Sequence, residues 1–300
     1  MYIPDVDILT PLNESVIALL IVNKTNELPL LAIRSIRRQS DAKIYVGYLN
    51  ETDILEIRNI DNIHFIDLMN HLEIRDRDLF VSSQYTEYSS ELFFKLVQLK
   101  WALFIRVADV IRSGIIVYSD LDVIWLDDVI DYVKQIFDTD SKISICIQDQ
   151  TFKSVEKELC MGLFSMRVNE DSVSFLEQMA TNHKNSLLLN PRSGDDGVIT
   201  DYYRSLQDKS NVYLLPQLGF PIGSLANSYF DVGYFSGLRL KNPYIFHANY
   251  VVGARRKLIL LLAMSNNFGL PVKFLEVKSS VKLELVLRKY LLRLIHIFRT

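Results

Sequence analysis

Two carboxylates, Asp120 and Asp122, stand one residue apart directly after the short apolar run Gly114–Tyr118. In an extended chain both side chains project the same way, and they repel unless a cation lies between them. Mg²⁺ and Mn²⁺ prefer oxygen ligands and keep coordination sites for phosphates. The alternative to a metal site is a solvated surface turn, because two aspartates at this spacing occur by chance in many proteins. The apolar residues Val123–Trp125 that follow place the pair at a sheet edge and favour the metal site.

Predicted strands and helices alternate ahead of this pair. The apolar run Ser15–Asn23 is typical of a strand buried on both faces of a parallel sheet. An amphipathic helix, a second strand at Ala42–Asn50 and a third strand follow. This order predicts an α/β fold with a mostly parallel, Rossmann-like central sheet flanked by helices. Ligands bind such sheets at the carboxyl ends of the strands.

The strand that carries the pair is predicted to follow a long helix. The polar segment Met69–Ser90 before it is predicted to be a long loop over the sheet. Leucines and valines then recur every three or four residues from Leu92 to Val110, which predicts a helix. Ser89 or Ser90 is predicted to cap its start, and Gly114 is predicted to end it in the left-handed conformation.

Composition, charge and cysteine content bear on the class of protein and its compartment. The 300 residues, 49% of them hydrophobic, can bury a sizeable core. The net charge of −3 lacks the basic footprint of proteins that bind nucleic acid. Cys146 and Cys160 form neither a C-x-x-C pair nor a metal-site spacing, which argues against a disulfide scaffold, and the acidic N-terminus lacks the basic region of a signal peptide. These observations predict a soluble, cytoplasmic protein without a nucleic-acid partner.

Residues Ile116–Val129, with the sequence IVYSDLDVIWLDDV, resemble the D-x-D segment of nucleotide-sugar glycosyltransferases of the GT-A fold. The serine before the first aspartate and the apolar residues after the second are similar to glycosyltransferase family 77, the nucleotide-diphospho-sugar transferases. Later segments resemble that family in the same order, and the resemblance covers roughly Leu92–Leu262. These segments are MGLFSMRVNEDSVSFLEQM, GDDGVITDYY, VYLLPQLGFPIG and IFHANYVVGARRKLILL.

The resemblance implies transfer of a sugar from a UDP- or GDP-sugar to a glycan or glycoconjugate acceptor, with retention at the anomeric carbon. It also implies a bound Mn²⁺ or Mg²⁺ that bridges the D-x-D and the diphosphate and stabilises the leaving group. Asp122 is then the stronger metal ligand. Asp120 either shares the metal or reaches the ribose of the nucleotide.

His247 is the third predicted metal ligand, because an imidazole can complete a Mn²⁺ site formed by carboxylates. GT-A enzymes often supply such a histidine near the C-terminus, whereas the alternative is an ordinary core histidine. Lys257 matches the Gly…Lys order of the family and is predicted, with Arg255, to hold the diphosphate; Arg256 is a rival. Cations at a helix N-terminus form an anion site, and the alternative is a solvated basic helix start.

Asp195 and Asp196 are the predicted catalytic residues, on the side of the sugar or the acceptor. The resemblance places Asp195 at a recurrent aspartate of the family, and Asp196 stands where the family commonly has Gln. The alternative is that the pair caps the helix that begins near Gly197. Asn23, at the end of the first strand, is a predicted nucleoside contact by position alone.

The other residues close to the D-x-D pair are predicted to be structural. Asp127 and Asp128 fit the N-cap and first-turn positions of the helix that follows them. Trp125 is predicted to pack in the core beneath the site rather than to bind sugar. Asp127 and Asp128 are therefore not expected to belong to the predicted metal site.

One GT-A domain is predicted over residues 1–270, with a nucleotide-binding half at about 15–125 and an acceptor half at about 126–270. Residues 271–300 are predicted to form an amphipathic C-terminal helix. From 273 onward they hold seven Lys or Arg and two Glu, a local charge of +5. This helix either docks on the domain or makes a peripheral contact with an anionic membrane.

Two other functions fit parts of the sequence. Haloacid-dehalogenase-like phosphatases also place a D-x-D after a strand, but usually after the first strand and with Thr or Val two residues beyond. Here more than 100 residues precede Asp120, and Ile124 occupies the Thr or Val position. The second alternative is a non-catalytic nucleotide-sugar-binding relative, against which the intact set of carboxylates and His247 argues.

Overall fold

The computed structural model describes residues 14–21, 27–82, 90–151, 156–222, 243–249 and 257–262. The strands in these ranges are β1 (Glu14–Leu20), β2 (Lys43–Tyr48), β3 (Ile63–Asp67), β4 (Gly114–Ser119), β5 (Val123–Trp125), β6 (Ile145–Asp149), β7 (Leu159–Val168), β8 (Val212–Leu215) and β9 (Ile245–His247). The α-helices are α1 (Glu27–Gln39), α2 (Ile74–Ser82), α3 (Glu91–Ile111), α4 (Val129–Thr139), α5 (Glu170–Leu189) and α6 (Asp195–Ser205). Glu51–Ile54 and Met69–His71 are 3₁₀ turns, and residues 257–262 are helical.

Seven of these strands form one sheet in the order β3-β2-β1-β4-β7-β6-β8, and β5 pairs separately with β9. Strands β1 to β4 are mutually parallel, β7 is antiparallel to both of its neighbours, and β6 is parallel to β8. The predicted mostly parallel sheet is confirmed. This topology brings the carboxyl ends of β4 and β6 and the start of β7 to the same edge.

Strand β1, next to the central strand β4, is buried on both faces, as its continuous apolar run predicts. Val16 and Ala18 pack into the core beneath α3 and α5, whereas Ile17 and Leu19 pack on the opposite side with α1 and α4. Successive side chains of a strand alternate between faces, so a strand covered by helices on both sides must be apolar throughout.

Helix α3 begins as predicted but ends differently. The Ser90 hydroxyl oxygen accepts the backbone N–H of Phe93 at 3.1 Å, which caps the first turn. Arg112, with φ of 55°, is the left-handed residue at the end of the helix. Gly114 has φ of 125° and instead begins β4, where a Cβ would lie 2.0 Å from the Glu14 carbonyl oxygen. The prediction that Gly114 ends the helix is therefore wrong.

The segment predicted to be a long loop, Met69–Ser90, contains a 3₁₀ turn and helix α2. Asp76 forms an ion pair with Lys95 of α3 at 2.8 Å, and Phe80 is 1% exposed. The ion pair with α3, and the burial of Phe80 in a core that includes α3 residues, stabilise a helix whose own apolar periodicity is weak, because packing overrides local propensity. Residues 83–89 lie outside the described residues.

The domain division and the C-terminal helix stay predictions. Residues 271–300 lie outside the described residues, so their docking on the domain or on a membrane is not decided. Among the residues that the structure describes, no helix is both long and apolar enough to cross a bilayer.

Candidate active site

The D-x-D segment leaves the central strand β4 at the carboxyl edge of the sheet and turns at once. The N–H of Val123 donates to the carbonyl of Asp120 at 3.1 Å, which closes a turn between β4 and β5. The predicted extended geometry of the pair is therefore wrong, because the short strand β5 changes direction to pair with β9. The two carboxylates nevertheless converge.

His247 joins them from the far end of the described chain. It ends β9, opposite Val123 in β5, and the N–H of Ala248 donates to the carbonyl of Asp122 at 2.8 Å. The ring is 1% exposed, and its Nε2 lies 3.3 Å from Asp122 Oδ1. One ligand atom each from Asp120, Asp122 and His247 lies within 4.8 Å of the others. Two carboxylates and an imidazole in this arrangement fit a Mn²⁺ or Mg²⁺ ion.

Gly162 lies between Asp120 and His247 and positions both. Its carbonyl accepts the N–H of Asp120 at 2.8 Å. It belongs to residues 161–163 of β7, which have no partner on β6, since Phe164 pairs with Ile147 and Cys160 pairs with the next residue of β6. Such bulges commonly re-aim chains beside active sites.

Gly162→Ala is expected to displace the His247 ring, because an added Cβ would lie 2.0 Å from its Cε1. Loss of this ligand should weaken Mn²⁺ binding at least ~10-fold, with a stability cost of about 1–3 kcal/mol. Electron paramagnetic resonance (EPR) titration of Mn²⁺ measures the first and urea unfolding the second. The control is Gly197→Ala in α6, where nothing lies within 4 Å of the added Cβ. Equal Mn²⁺ affinity in the two variants would contradict this expectation.

Lys257 lies beside the predicted metal ligands. Its Nζ is 2.5 Å from Asp122 Oδ2. Burial alone would raise the pKa of Asp122, but the charge of Lys257 beside it holds that pKa well below its usual range. Asp122 is therefore ionised in the pH range where proteins work. Arg255, Arg256 and Asn23, the other predicted phosphate and nucleoside contacts, lie outside the described residues.

A buried lysine, Lys100 of α3, connects Asp120 to the predicted catalytic pair. Its Nζ lies 3.0 Å from Asp120 Oδ1 and 2.6 Å from Asp195 Oδ2, and the residue is 6% exposed. Burial alone would lower the pKa of Lys100, but the charges of Asp120 and Asp195 raise it well above its usual value. Lys100 is therefore an ammonium ion held between two carboxylates.

The role of Lys100 was not predicted from the sequence, although a signal was present. Lys100 stands four residues after Leu96 and three before Leu103, on the apolar stripe of an amphipathic helix. A charged residue on such a stripe needs a buried partner.

Tyr118 was not predicted either. Its hydroxyl donates a hydrogen bond to Asp120 Oδ1 at 2.7 Å. Burial, followed by the charge of Asp120, raises the pKa of Tyr118 well above its usual value, so it remains a hydrogen-bond donor.

Asp195 and Asp196 lie in the first turn of α6, and Gly194 is the N-cap residue without a side-chain capping bond. Their carboxylates have other partners: Lys100 for Asp195, and the N–H of Met161 for Asp196 at 2.6 Å. Removal from water and the adjacent charge of Asp195 raise the pKa of Asp196 to about 7. The alternative that the pair merely caps the helix does not account for these contacts.

Two of the three residues predicted to be structural, Asp128 and Trp125, have that role. The Asp128 carboxylate accepts the N–H of Asp131 at 3.1 Å and caps α4, while Asp127 is exposed. Trp125 is fully buried, and its Nε1–H donates to the Ser119 hydroxyl at 3.2 Å. The predictions for Asp128 and Trp125 are confirmed, whereas Asp127 precedes the N-cap residue and lies outside the first turn of α4.

His183, a buried neutral histidine, forms a hydrogen bond with Ser193, two residues before α6 begins. The Nε1–H of Trp101 donates to His183 Nδ1 at 3.0 Å, so the His183 proton is on Nε2, which donates to the Ser193 carbonyl at 3.0 Å. Burial lowers the pKa of His183 below its usual value of 6.5. Protonation would place a second N–H against the indole N–H.

His183 should therefore make folding stability depend on pH. Below about pH 6.5 the unfolded chain binds a proton here that the folded chain does not, so stability falls by up to about 1.4 kcal/mol per pH unit until the folded group also titrates. Urea unfolding at pH 7.5 and pH 5.5 measures the difference. His183→Gln, whose amide can replace both hydrogen bonds, should lose this part of the dependence. An identical pH dependence in both proteins would contradict the assignment.

The seven-stranded sheet, with the D-x-D turn after its central strand, is the GT-A fold of glycosyltransferases. Solved structures similar to this chain include GlyE of Streptococcus pneumoniae TIGR4 (14% identity, TM-score 0.52, covering 93% of this chain) and the galactosyltransferase LgtC (12%, 0.52, 84%). Another is a glycosyltransferase involved in glycosylation of the major capsid of PBCV-1 (10%, 0.51, 82%). The match covers 64% of GlyE, 99% of LgtC and 98% of the PBCV-1 protein. The predicted fold class is confirmed.

The sequence itself matches the nucleotide-diphospho-sugar transferase family over residues 60–261, more than half of the chain. The chain therefore belongs to the nucleotide-diphospho-sugar transferases. No curated protein is found to be similar to it in sequence. The narrower assignment to glycosyltransferase family 77 stays a prediction.

Proposed function

We propose that this protein transfers a sugar from a nucleotide-diphosphate sugar, UDP- or GDP-linked, to a glycan or glycoconjugate acceptor. The reaction depends on Mn²⁺ or Mg²⁺ and retains the anomeric configuration. The observation that supports this best is the convergence of Asp120, Asp122 and His247 at the carboxyl edge of the sheet, beside Lys257. Retention rests on the resemblance to family 77.

The charged residues divide into two groups with different tasks. Asp122, His247 and Asp120 hold the cation, which when bound neutralises charge on the departing diphosphate. Lys257, whose ammonium contacts Asp122, supplies a protonated donor for phosphate oxygens. Together these groups stabilise the leaving group.

The second group consists of Asp195, Asp196 and Lys100 on the sugar or acceptor side. Lys100 holds Asp195 in position relative to Asp120. Burial and the charge of Asp195 raise the pKa of Asp196 to about 7, so its carboxyl can exchange a proton with a sugar or acceptor hydroxyl near neutral pH. We assign Asp195 and Asp196 as candidate contacts of the sugar or of the acceptor hydroxyl.

The phosphatase alternative has less support. The D-x-D follows the fourth of the strands that the structure describes, and the family match is to sugar transferases.

A cytoplasmic location is proposed from Cys146 and Cys160, which are both free and buried. Peripheral membrane contact is proposed only from the charge of residues 271–300.

A panel of nucleotide sugars tests the function. Thermal unfolding is recorded with each compound, with and without Mn²⁺, and hydrolysis of the best ligand is then followed. One UDP- or GDP-sugar should raise the melting temperature only when Mn²⁺ is present, because ligands that bind the folded state stabilise it. If no compound does so, or if the shift is the same with EDTA, the proposal fails.

A further inference from the structure

Gln148, at the carboxyl end of β6, is fully buried and contacts the predicted metal ligand His247. Its Oε1 lies 2.9 Å from His247 Nδ1, and its Nε2 lies 2.9 Å from the backbone carbonyl oxygen of Phe220. Neither the resemblance nor the D-x-D motif gives this glutamine a role.

The orientation of the amide follows from its second contact. A backbone carbonyl oxygen can only accept a hydrogen bond, so the amide nitrogen of Gln148 must face Phe220. The amide oxygen then faces His247 Nδ1 and can only accept. Nδ1 is closer to this acceptor, at 2.9 Å, than Nε2 is to Asp122 Oδ1, at 3.3 Å, and we infer that the proton of the neutral imidazole is on Nδ1.

This tautomer matters because of the other ring nitrogen. With the proton on Nδ1, His247 Nε2 carries a lone pair, and it lies 3.3 Å from Asp122 Oδ1. Without Gln148, the neutral ring would favour a proton on Nε2, where it could donate to Asp122. The lone pair would then point away from the carboxylates. The Cys160 sulfur, 3.8 Å from Nδ1, is too weak an acceptor to replace the amide.

The irregular pairing of β6 with β7 makes the contact available. Residues 161–163 of β7 have no partner on β6, at the point where Gln148 follows Ile147. Gly162 lies in this bulge, and the absence of its Cβ leaves room for the ring that Gln148 orients. The same distortion therefore admits the imidazole and aligns the amide.

We propose that Gln148 is a positioning residue: it holds His247 in the tautomer that presents the Nε2 lone pair to a cation beside Asp122. The inference deepens the proposed function and rests on it for the identity of the cation. Residues that orient a metal-bound histidine commonly change metal affinity by 10–100-fold when they are substituted.

Two measurements on the full chain test the proposal. Long-range ¹H–¹⁵N spectra of the metal-free protein in alkaline buffer report which ring nitrogen carries the proton, with the His247 signals assigned by their loss in His247→Asn. EPR titration with MnCl₂ alone reports metal affinity. The variants are Gln148→Leu, which removes the acceptor, and Gln148→Glu, which keeps an acceptor for Nδ1–H but no donor for Phe220.

The wild type and Gln148→Glu should carry the proton on Nδ1, whereas Gln148→Leu should carry it on Nε2 and bind Mn²⁺ about 10–100-fold more weakly than wild type. A wild-type proton on Nε2, or equal Mn²⁺ affinity in wild type and Gln148→Leu, would overturn the proposal. If the tautomers are as expected but neither protein binds Mn²⁺, the proposed metal dependence fails while the control of the tautomer by Gln148 stands. The wild-type spectrum decides the tautomer even if a variant does not fold.

Discussion

Asp122→Asn is expected to abolish the Mn²⁺-dependent binding of nucleotide sugar and to slow donor turnover at least ~10³-fold. The substitution keeps the size of a side chain in a residue that is 7% exposed, but it removes the charge that faces His247 and Lys257. A bound cation supplies several kcal/mol of transition-state stabilisation, and about 1.4 kcal/mol is worth tenfold in rate. EPR titration with Mn²⁺ and hydrolysis of the best nucleotide sugar measure the two losses.

Asp127→Asn is the matched control for this experiment. Asp127 lies five residues further along the chain and is exposed, and its carboxylate accepts only the N–H of Asp128 among the contacts described. It should bind Mn²⁺ and turn over donor as the wild type does. If Asp122→Asn behaves like Asp127→Asn while both are folded by circular dichroism, Asp122 is not a metal ligand.

Lys100→Met is expected to lower the free energy of unfolding by about 3–5 kcal/mol, because it leaves buried carboxylates without their cation. The ammonium contacts both Asp120 and Asp195, and the residue is 6% exposed. Donor turnover should fall as well, since the same contact holds a predicted metal ligand and a predicted catalytic residue in place. Urea unfolding and turnover assays measure the two effects separately.

Lys95→Met separates this loss from that of an ordinary ion pair on the same helix. Lys95 also pairs with a buried aspartate, Asp76, but the Lys95 side chain is 39% exposed and a single carboxylate loses its partner, so the cost should be smaller than that of Lys100→Met. In the double variant Lys100→Met/Asp195→Asn, part of the stability should return without the turnover, because one uncompensated charge is removed. A Lys100→Met protein as stable as Lys95→Met would show that the buried network contributes little.

The D-x-D strand, the α/β fold and the helix caps could be predicted because their signals are local. An apolar run before Asp120 indicates a strand covered on both faces, and Asp128 stands where a helix needs an acceptor for its free N–H groups. Both features depend on a few neighbouring residues and on backbone geometry. The structure confirms them.

Predictions that depended on distant partners were less accurate. The pair Asp120 and Asp122 was expected to lie in extended chain, but β5 turns to pair with β9, and residues 245–247 of β9 follow more than 100 positions later. Helix α2 was expected to be a loop because its own apolar periodicity is weak. It is stabilised instead by the ion pair of Asp76 with α3 and by the burial of Phe80 in the core. Local propensity carries no information about such partners.

The sequence by itself determined the fold class and the three residues whose types can hold a cation, Asp120, Asp122 and His247. Only the tertiary structure decided which residues support them: Lys100 between two carboxylates, Gly162 beside the imidazole, and Gln148 at its Nδ1. Periodicity shows which face of an element is buried, but it does not show which side chain lies opposite. That is decided by the packing of α3, β6 and β7 against distant parts of the chain, since Asp195 lies 95 positions from Lys100 and His247 lies 85 and 99 positions from Gly162 and Gln148.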